Sequence, residues 1–533
     1  MKYNITENDK LLLLQNDIKY KTKLFVLNRN KQVIDELEGI SSFGSYSIDA
    51  NSSIRRTLSF VLELDSTYSS KHIEEKLEVW IGYDFQVQIG LYDIRNEEYK
   101  WYECGTYTIT SSNTSYDESS NTLSTELNDW FSKLDGTRNG QIGGVPTIVI
   151  PVTDENNKPV TIKEATIGVL KDNGITDYII QDLGEFYGLP EYNTDYLDYR
   201  KDYPNWNQLP YELNFNAGCT ISDILTELRD LYPNCEMYYD LYNTFCFHMI
   251  PSCEHDPVTI DNDFLQQIIV AENSESVTYH ISDIKNITEV FGKVYDVDRY
   301  CEAATYTSNV YNLTLDLYQS YQNGEIIAFT APLSSLPAQK LRINQLASIP
   351  IYREGKTEYV AEGTMEADKL YCVKITYRNN EFVADFLGTY QPHALCVLTN
   401  DENDPVYTKD YFSKKYNCNN IVFRVEKENP FAVQRLGEIL EVKSGNEFDN
   451  ILSDSVAIEN ALYYNKNSSS LNDIVTITTT MIPWLDVNVK VSYQKQQESE
   501  SHEYIVKSIS NDFSNGTSAI TLHRFYPFYF KLL

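Results

Sequence analysis

Nowhere in its 533 residues does the chain carry the roughly 20 consecutive apolar residues that a membrane-crossing helix needs. Asn, Asp, Lys or Ser breaks every apolar stretch, and the opening Met1 to Lys10 is polar, with only Leu11 to Leu14 apolar before Gln15. Neither a secretory leader nor a membrane span is expected, so the sequence predicts a soluble protein made in a cytoplasm. Histidine is scarce at seven residues, which leaves few candidates for a general base. A phosphate-cradling glycine loop, a G-x-S-x-G elbow, an H-E-x-x-H helix and an EF-hand loop are all missing. The nine cysteines lack the paired spacing of a disulfide framework and read as reduced, buried thiols. Basic residues are outnumbered 44 to 77, and the formal net charge of -33 argues against nucleic-acid binding, which depends on Lys and Arg neutralising phosphates. An acidic surface of this kind serves solubility, or lines a passage through which DNA slides without sticking.

What is present is a globular composition, 42% hydrophobic and 23% charged, in a chain too long for one core. Three or four domains are expected. The 42 tyrosines suit strands and contact surfaces, because a rigid ring with a polar tip gives contact area at little entropic cost.

The first ~135 residues read as strand and turn. Lys21 to Leu27 and Gln32 to Leu37 form a hairpin, followed by strands at 46–49, 54–64, 77–81, 86–92, 107–112 and 122–127. Leu58, Phe60, Leu62 and Leu64 share one face by the two-residue period. Thr161 with Glu164, and Thr220 with Asp223, have capping-box spacing ahead of two helices; the second carries Ile221, Ile224, Leu225 and Leu228 on one face. Between them, 178–211 is a proline- and tyrosine-bearing loop that wraps a surface. Strand character returns over 277–297 and 342–398. Short helices are expected from Asn429, with Pro430 in the first turn, and after Ser453. The end is β again, and Asn515-Gly516 reads as a two-residue type I′ turn. Tyr107, Ile109 and Ser111 are echoed by Tyr504, Val506 and Ser508, but any two hairpins share such alternation, so the reading favours chance over a true repeat.

Candidate chemistry is sparse. Cys246, His248, Cys253 and His255 are zinc-ligand types within ten positions. Their spacing is no standard knuckle, and Phe245, Phe247 and Met249 alternate with the first two as on a strand, so no metal and no other cofactor is expected. His393 reads as a structural histidine. Leu134 to Gly140 and Ser444 to Asn446 read as tight turns, with Arg138 a candidate partner for a carboxylate on a neighbouring subunit. No catalytic residue is identified, and no enzyme is expected.

Several segments together carry a resemblance: TLSTELNDWFSKLDGTRNGQIGG at 122–144, NITEVFG at 286–292, LGTYQPHA at 387–394, Phe431 to Gly445 ending in GEILEVKSG, MIPWLDVN at 481–488, YIVKSI at 504–509 and ITLHRFY at 520–526. They resemble the tail-hub proteins of bacteriophages and prophages of Gram-positive bacteria. The resemblance covers nearly the whole chain, and none of its motifs is catalytic. It implies a mainly β, multidomain fold with α/β insertions: an arm at 1–17, a first tube-like β-barrel at 18–135, a bridging α/β domain at 136–272, a second, split barrel with short helices at 273–298 plus 421–533, and an inserted small β domain at 299–420. It further implies a homotrimeric structural protein of the virion tail, assembled in the bacterial cytoplasm. Its partners would be tail-tube, distal-tail, tape-measure and baseplate or fibre proteins, with Arg138, Gly140, Trp484 and Tyr526 as inter-subunit or turn residues. A wall hydrolase would sit on a separate protein, since the chain stops after its last strand. The alternatives are a carbohydrate-binding adhesin of host-surface glycans, using 178–211, and a peptidoglycan hydrolase.

Overall fold

The computed structural model describes residues 5–38, 40–63, 80–116, 121–144, 147–155, 158–181, 209, 212–231, 235–250, 253, 257–270, 275–301, 304–353, 355–445, 448–449, 451, 454–469, 471 and 473–524. Among the described residues the fold is mostly β, with 44% strand and 16% helix. Helix α1 (Glu7–Leu13) precedes strands β1 (Tyr20–Leu27), β2 (Val33–Glu36), β3 (Ile40–Asp49), β4 (Arg56–Glu63), β5 (Asp84–Asp93), β6 (Glu98–Tyr116) and β7 (Asn121–Asp129). Then come β8 (Thr147–Ile150), α2 (Ile162–Asp172), β9 (Tyr178–Ile180), β10 (Leu213–Asn216), α3 (Ile221–Asp230), β11 (Cys235–Tyr239), β12 (Phe245–Met249), α4 (Asn262–Ile268) and β13 (Glu275–Tyr279). The middle of the chain holds β14 (Ile287–Phe291), β15 (Arg299–Cys301), β16 (Thr305–Thr307), β17 (Val310–Leu313), β18 (Ile326–Thr330), β19 (Lys340–Ile343), β20 (Ile349–Arg353), β21 (Leu370–Arg378), β22 (Glu381–Thr389) and β23 (His393–Thr399). It continues with α5 (Lys409–Tyr416), β24 (Ile421–Val425), α6 (Val433–Leu436), β25 (Leu440–Lys443) and α7 (Asp454–Ser468), and closes with β26 (Asp473–Thr480), β27 (Lys490–Tyr493), β28 (His502–Asp512) and β29 (Thr517–His523).

The described residues form two compact units, one within 1–181, 209–279 and 473–524, the other within 280–471. The first unit is organised by one sheet in the order β13-β26-β29-β28-β3-β4-β7-β6-β5-β1-β2, with β27 also paired to β28. Its core follows from the two-residue period: Leu58, Phe60 and Leu62 of β4 are buried together with Leu24, Val87, Ile89, Ile477, Val506 and Ile520. Leu64 and most of the expected 77–81 strand lie outside the described residues.

Both capping boxes form. Thr161 Oγ1 accepts from Glu164 N at 3.1 Å while the Glu164 carboxylate accepts from Thr161 N at 3.0 Å, and Thr220 with Asp223 does the same at 3.0 and 2.8 Å. Two local expectations are corrected. The helix expected from Asn429 begins instead at Val433, because Asn429 Oδ1 accepts from Phe431 N at 2.8 Å and holds a turn there. The Asn515-Gly516 hairpin has a four-residue loop between Asp512 and Thr517; Asp512 Oδ1 accepts from Ser514 N and Asn515 N, and of the expected pair only Gly516 has a positive φ.

In the second unit, a four-stranded sheet (β24-β23-β14-β25) and an eight-stranded sheet (β15-β18-β21-β22-β20-β19-β17-β16) each have their own cores. Helix α7 lays Ala457, Ala461 and Leu462 on Val290, Ala394 and Cys396 of the smaller sheet. Asn286, the first residue of the NITEVFG segment, is fully buried. Its amide donates to the Phe431 and Gly437 carbonyls at 2.9 and 2.7 Å and accepts from Ile439 N at 2.8 Å. A buried amide satisfied this way fixes the loop 431–439 onto β14. Of the segments expected to form one split barrel, β13 and β26 to β29 join the large sheet, whereas 280–298 and 421–471 belong to the second unit.

Candidate functional site

The large sheet contains the same five-strand arrangement twice. In its N-terminal half the neighbours run β3-β4-β7-β6-β5; in its C-terminal half they run β13-β26-β29-β28-β27. The match extends to residues. Strand β6 pairs with β7 as Ile109↔Leu127 and then Ser111↔Glu126, so Thr110 is an extra residue; β28 pairs with β29 as Val506↔Leu522 and then Ser508↔Thr521, so Lys507 is extra. Leu127 faces Leu58 on the next strand, and Leu522 faces Val475. The echo between Tyr107 and Tyr504, read from sequence as chance, is therefore a structural repeat, because a bulge at one register within one strand order is not a property of hairpins in general.

The halves meet where β28 pairs with β3. Ile509 lies opposite Ile48, and both are buried, at 1% and 2% exposure. On that side of β28 the first four residues pair with β27 and the last five with β3. In β6 the corresponding first part pairs with β5 through Tyr107, but on the same side of 108–116 no strand pairs among the described residues. The outer edge of β13 is likewise unpaired among the described residues. The repeat thus has one filled junction and two open edges.

A buried charge cluster fastens the filled junction. Arg56, at 1% exposure, pairs with Asp486 at 2.5 Å and donates to the Tyr239 carbonyl at 2.8 Å, while its backbone N–H donates to Asp129 at 2.9 Å. Beside it, Arg55 pairs with Glu236 and stacks on Tyr238 with its guanidinium 3.7 Å from the ring centroid; Asn488 donates to the same Glu236. Burial works against the Arg56 charge, but Asp486 alongside holds its pKa above the ordinary value. Burial pushes the Asp129 carboxyl up to about 6, against the lowering effect of its two backbone donors, Arg56 N and Phe131 N. The equivalent place in the other half carries the charges reversed: Asp473 stands where Arg56 stands, and Arg524, 3.3 Å away, where Asp129 stands. Burial would raise the Asp473 carboxyl, but hydrogen bonds from Lys495 at 2.6 Å and Tyr504 at 2.9 Å bring it below the ordinary value.

The sequence-predicted residues fall in different places. Arg138 lies at the open edge of β6, donating to the carbonyls of Ile109 at 2.7 Å and Ile81. Gly140 has φ +106, and a Cβ there would lie 2.4 Å from the Leu134 backbone; the loop it closes receives Ile221 N and Ser222 N from the start of α3. Trp484 sits in a turn with its indole buried at 3% exposure, stacked 6.1 Å from Phe264, so it presents no surface to a neighbouring subunit. Tyr526 and His255 lie outside the described residues, as does nearly all of 178–211. Cys246 is buried and its thiol is pushed up to about 11 by desolvation. His248 contacts Tyr238 Oη at 2.9 Å and the Met249 carbonyl at 3.0 Å through its two ring nitrogens. Among the described residues no group of three His, Cys, Asp or Glu side chains could hold a metal ion. His393 contacts Glu289 at 2.9 Å and stacks on Phe291 at 4.1 Å.

An open groove of about 550 Å³ runs along the unpaired edge of β6, lined by Ile81, Ile109, Ser112 and Arg138 among others. Sequence reasoning named Arg138 but missed the edge itself. The signal was there in the polar run Ser111 to Ser115 following an apolar strand start.

A model of the family described as "Domain of unknown function (DUF5048)" matches residues 428–529. No curated protein matches the chain. Among solved structures, the chain is similar to the 43 kDa tail protein of prophage MuSo2 from Shewanella oneidensis, with a TM-score of 0.44 and 10% identity over 94% of this chain and 98% of that one. It is similar to the tail protein from Neisseria meningitidis MC58, with a TM-score of 0.43 and 8% identity over 94% and 96%. It is also similar to prophage tail protein gp18 from Listeria monocytogenes EGD-e, with a TM-score of 0.41 and 9% identity over 94% of both chains.

Proposed function

We propose that the chain is a non-catalytic structural protein of a phage-type tail, acting as a hub at the distal end of the tail tube. Three copies would form a ring, each contributing two tube-like β domains, the first from 18–135 and the second from 275–279 with 473–523. The observation that carries this reading is the repeat within one continuous sheet: two equivalent halves already joined edge to edge, with an edge at β6 and another at β13 that are unpaired among the described residues. The tail-hub motifs support it, because they fall at the places that define this architecture. YIVKSI holds the Lys507 bulge, MIPWLDVN holds Asp486, and TLSTELNDWFSKLDGTRNGQIGG holds Asp129 and Arg138. The hub would join the tube to baseplate or fibre proteins and open to pass DNA or a tape-measure protein. Where the acidic residues behind the net charge of -33 face the channel, they would keep DNA from adhering to its wall.

Light scattering on the purified full chain, followed by imaging, tests the reading. A particle of three chain masses with a central opening is expected, and a strict monomer at every concentration would overturn it. Zymography against bacterial cell walls tests the non-enzymatic part, with no clearing expected. Binding of the monomer to a glycan array would favour the adhesin instead.

A further inference from the structure

The structure assigns the open edge of β6 a specific occupant: β13 of a second copy of this chain, antiparallel, with Asn113 of one copy opposite Thr278 of the next. This inference rests on the ring reading above and deepens it to a register. Inside the chain, the C-terminal half already offers its β28 edge to β3 of the N-terminal half. Strand β6 is the counterpart of β28, and β13 is the counterpart of β3. The same step taken once more, from the N-terminal half of one copy to the C-terminal half of another, therefore joins β6 to β13. A head-to-tail contact closes a ring when its rotation divides the full circle, as a threefold step does.

The register follows from the pairs already observed. Ser510 lies opposite Ser47 at the filled junction. Counting from the shared bulge, Ser510 corresponds to Asn113. Counting through β4 and β26, Ser47 corresponds to Thr278. One residue along, Ser112 meets Tyr279 as Ile509 meets Ile48. Tyr279 is 46% exposed where Ile48 is 2% exposed, which is the difference expected of a position whose covering strand belongs to another molecule. Ile81, at 55% exposure beside the same groove, would be covered by the same contact.

Asn113 and Thr278 are both exposed, so cysteines there leave the core untouched. Ala50 N donates to the Lys507 carbonyl, so the 47/510 pair falls at a non-hydrogen-bonded site, where antiparallel Cα atoms approach to about 4.5 Å, within disulfide reach. Full-length Asn113→Cys/Thr278→Cys, treated with a mild thiol oxidant and run on a non-reducing gel, should give linked species up to three chains that collapse on reduction. Each single variant, the unsubstituted chain and the shifted pair Ser111→Cys/Thr278→Cys should remain single chains. Equal linking by the shifted pair would overturn the register. A trimer by light scattering that does not link would overturn the β6 to β13 contact while leaving the ring reading intact, and a strict monomer would overturn both. Should the double variant misfold, hydrogen exchange on the unsubstituted chain reads the same contact: protection of Ser111 to Ser115 and Ser276 to Tyr279 should rise on assembly, and unchanged exchange in a trimer would overturn it.

Discussion

The two halves of the large sheet share a strand order and a bulge, yet one has its edge filled and the other does not. Strand β28 is covered on both sides, and its Ile509 is 1% exposed; in β6 the same register holds Ser112, beside a groove. The difference teaches that side-chain chemistry at an edge reports whether its partner strand is built in. An apolar pair suits a junction formed during folding, and a polar run of Ser and Asn suits one formed later, between molecules that must first exist separately.

The comparison breaks most severely at Arg56. Removing its guanidinium by Arg56→Met leaves Asp486 buried without its cation, and a loss of about 3–5 kcal/mol is expected in urea unfolding. Ile509→Ala at the filled junction should cost about 2–5 kcal/mol by the same measurement. Tyr279→Ala, its counterpart position's partner at the open edge, should change the stability of the separate chain by less than about 1 kcal/mol and show itself instead as weaker association in light scattering. Gly140→Ala, in the loop that carries Arg138 to the open edge, should cost roughly 1–3 kcal/mol, because neither its positive φ nor the nearby Leu134 backbone accommodates a Cβ.

Two further effects are in pH. Asp129, raised to about 6, contributes stability that is present below its unfolded value near 4 and lost as pH rises through 6. Asp473, held below the ordinary value, contributes stability that is present above about 4 and lost as pH falls through its folded value. Urea midpoints measured against pH should therefore lose their decline between 4 and 6 in Asp129→Asn, and lose part of their acid-side fall in Asp473→Asn.

Much of this was legible residue by residue. Thr161 with Glu164 and Thr220 with Asp223 announced their helices because capping is local: both partners lie within one turn. Most strands of the N-terminal half were legible from their local alternation, but the first part of β6, residues 98–106, was missed, and Trp80 and Ile81 of the expected 77–81 strand lie in helix and turn. Asn429 and Asn515 misled because an Asx turn, whether at Asn429 or at Asp512, competes with the helix start or tight hairpin that the same residue types favour. Sheet membership was the least legible. Residues 287–291 and 473–480 look alike as strands, but their partners, 393–399 for one and 517–523 for the other, lie far along the chain or close by without any local mark. The Tyr107 and Tyr504 echo was visible as letters; what made it a repeat was the pairing of Thr110 and Lys507 as extra residues, which needs both strands of each hairpin at once. Arg56 and Asp486, 430 residues apart, carried no sequence sign of their ion pair.

Arg138 gives the open edge one more property. A strand with free N–H and C=O groups is a template for uncontrolled polymerisation, and a chain that waits for neighbours must survive the wait. By placing a charged, planar group on the Ile109 carbonyl, just where β6 emerges from its pairing with β5, Arg138 fences the upstream end of the exposed segment. What remains open is a short polar stretch bounded by a cation, wide enough for one strand of the right length and poorly suited to a growing fibril. A monomer guarded in this way can accumulate in solution with its edge still able to take one partner strand.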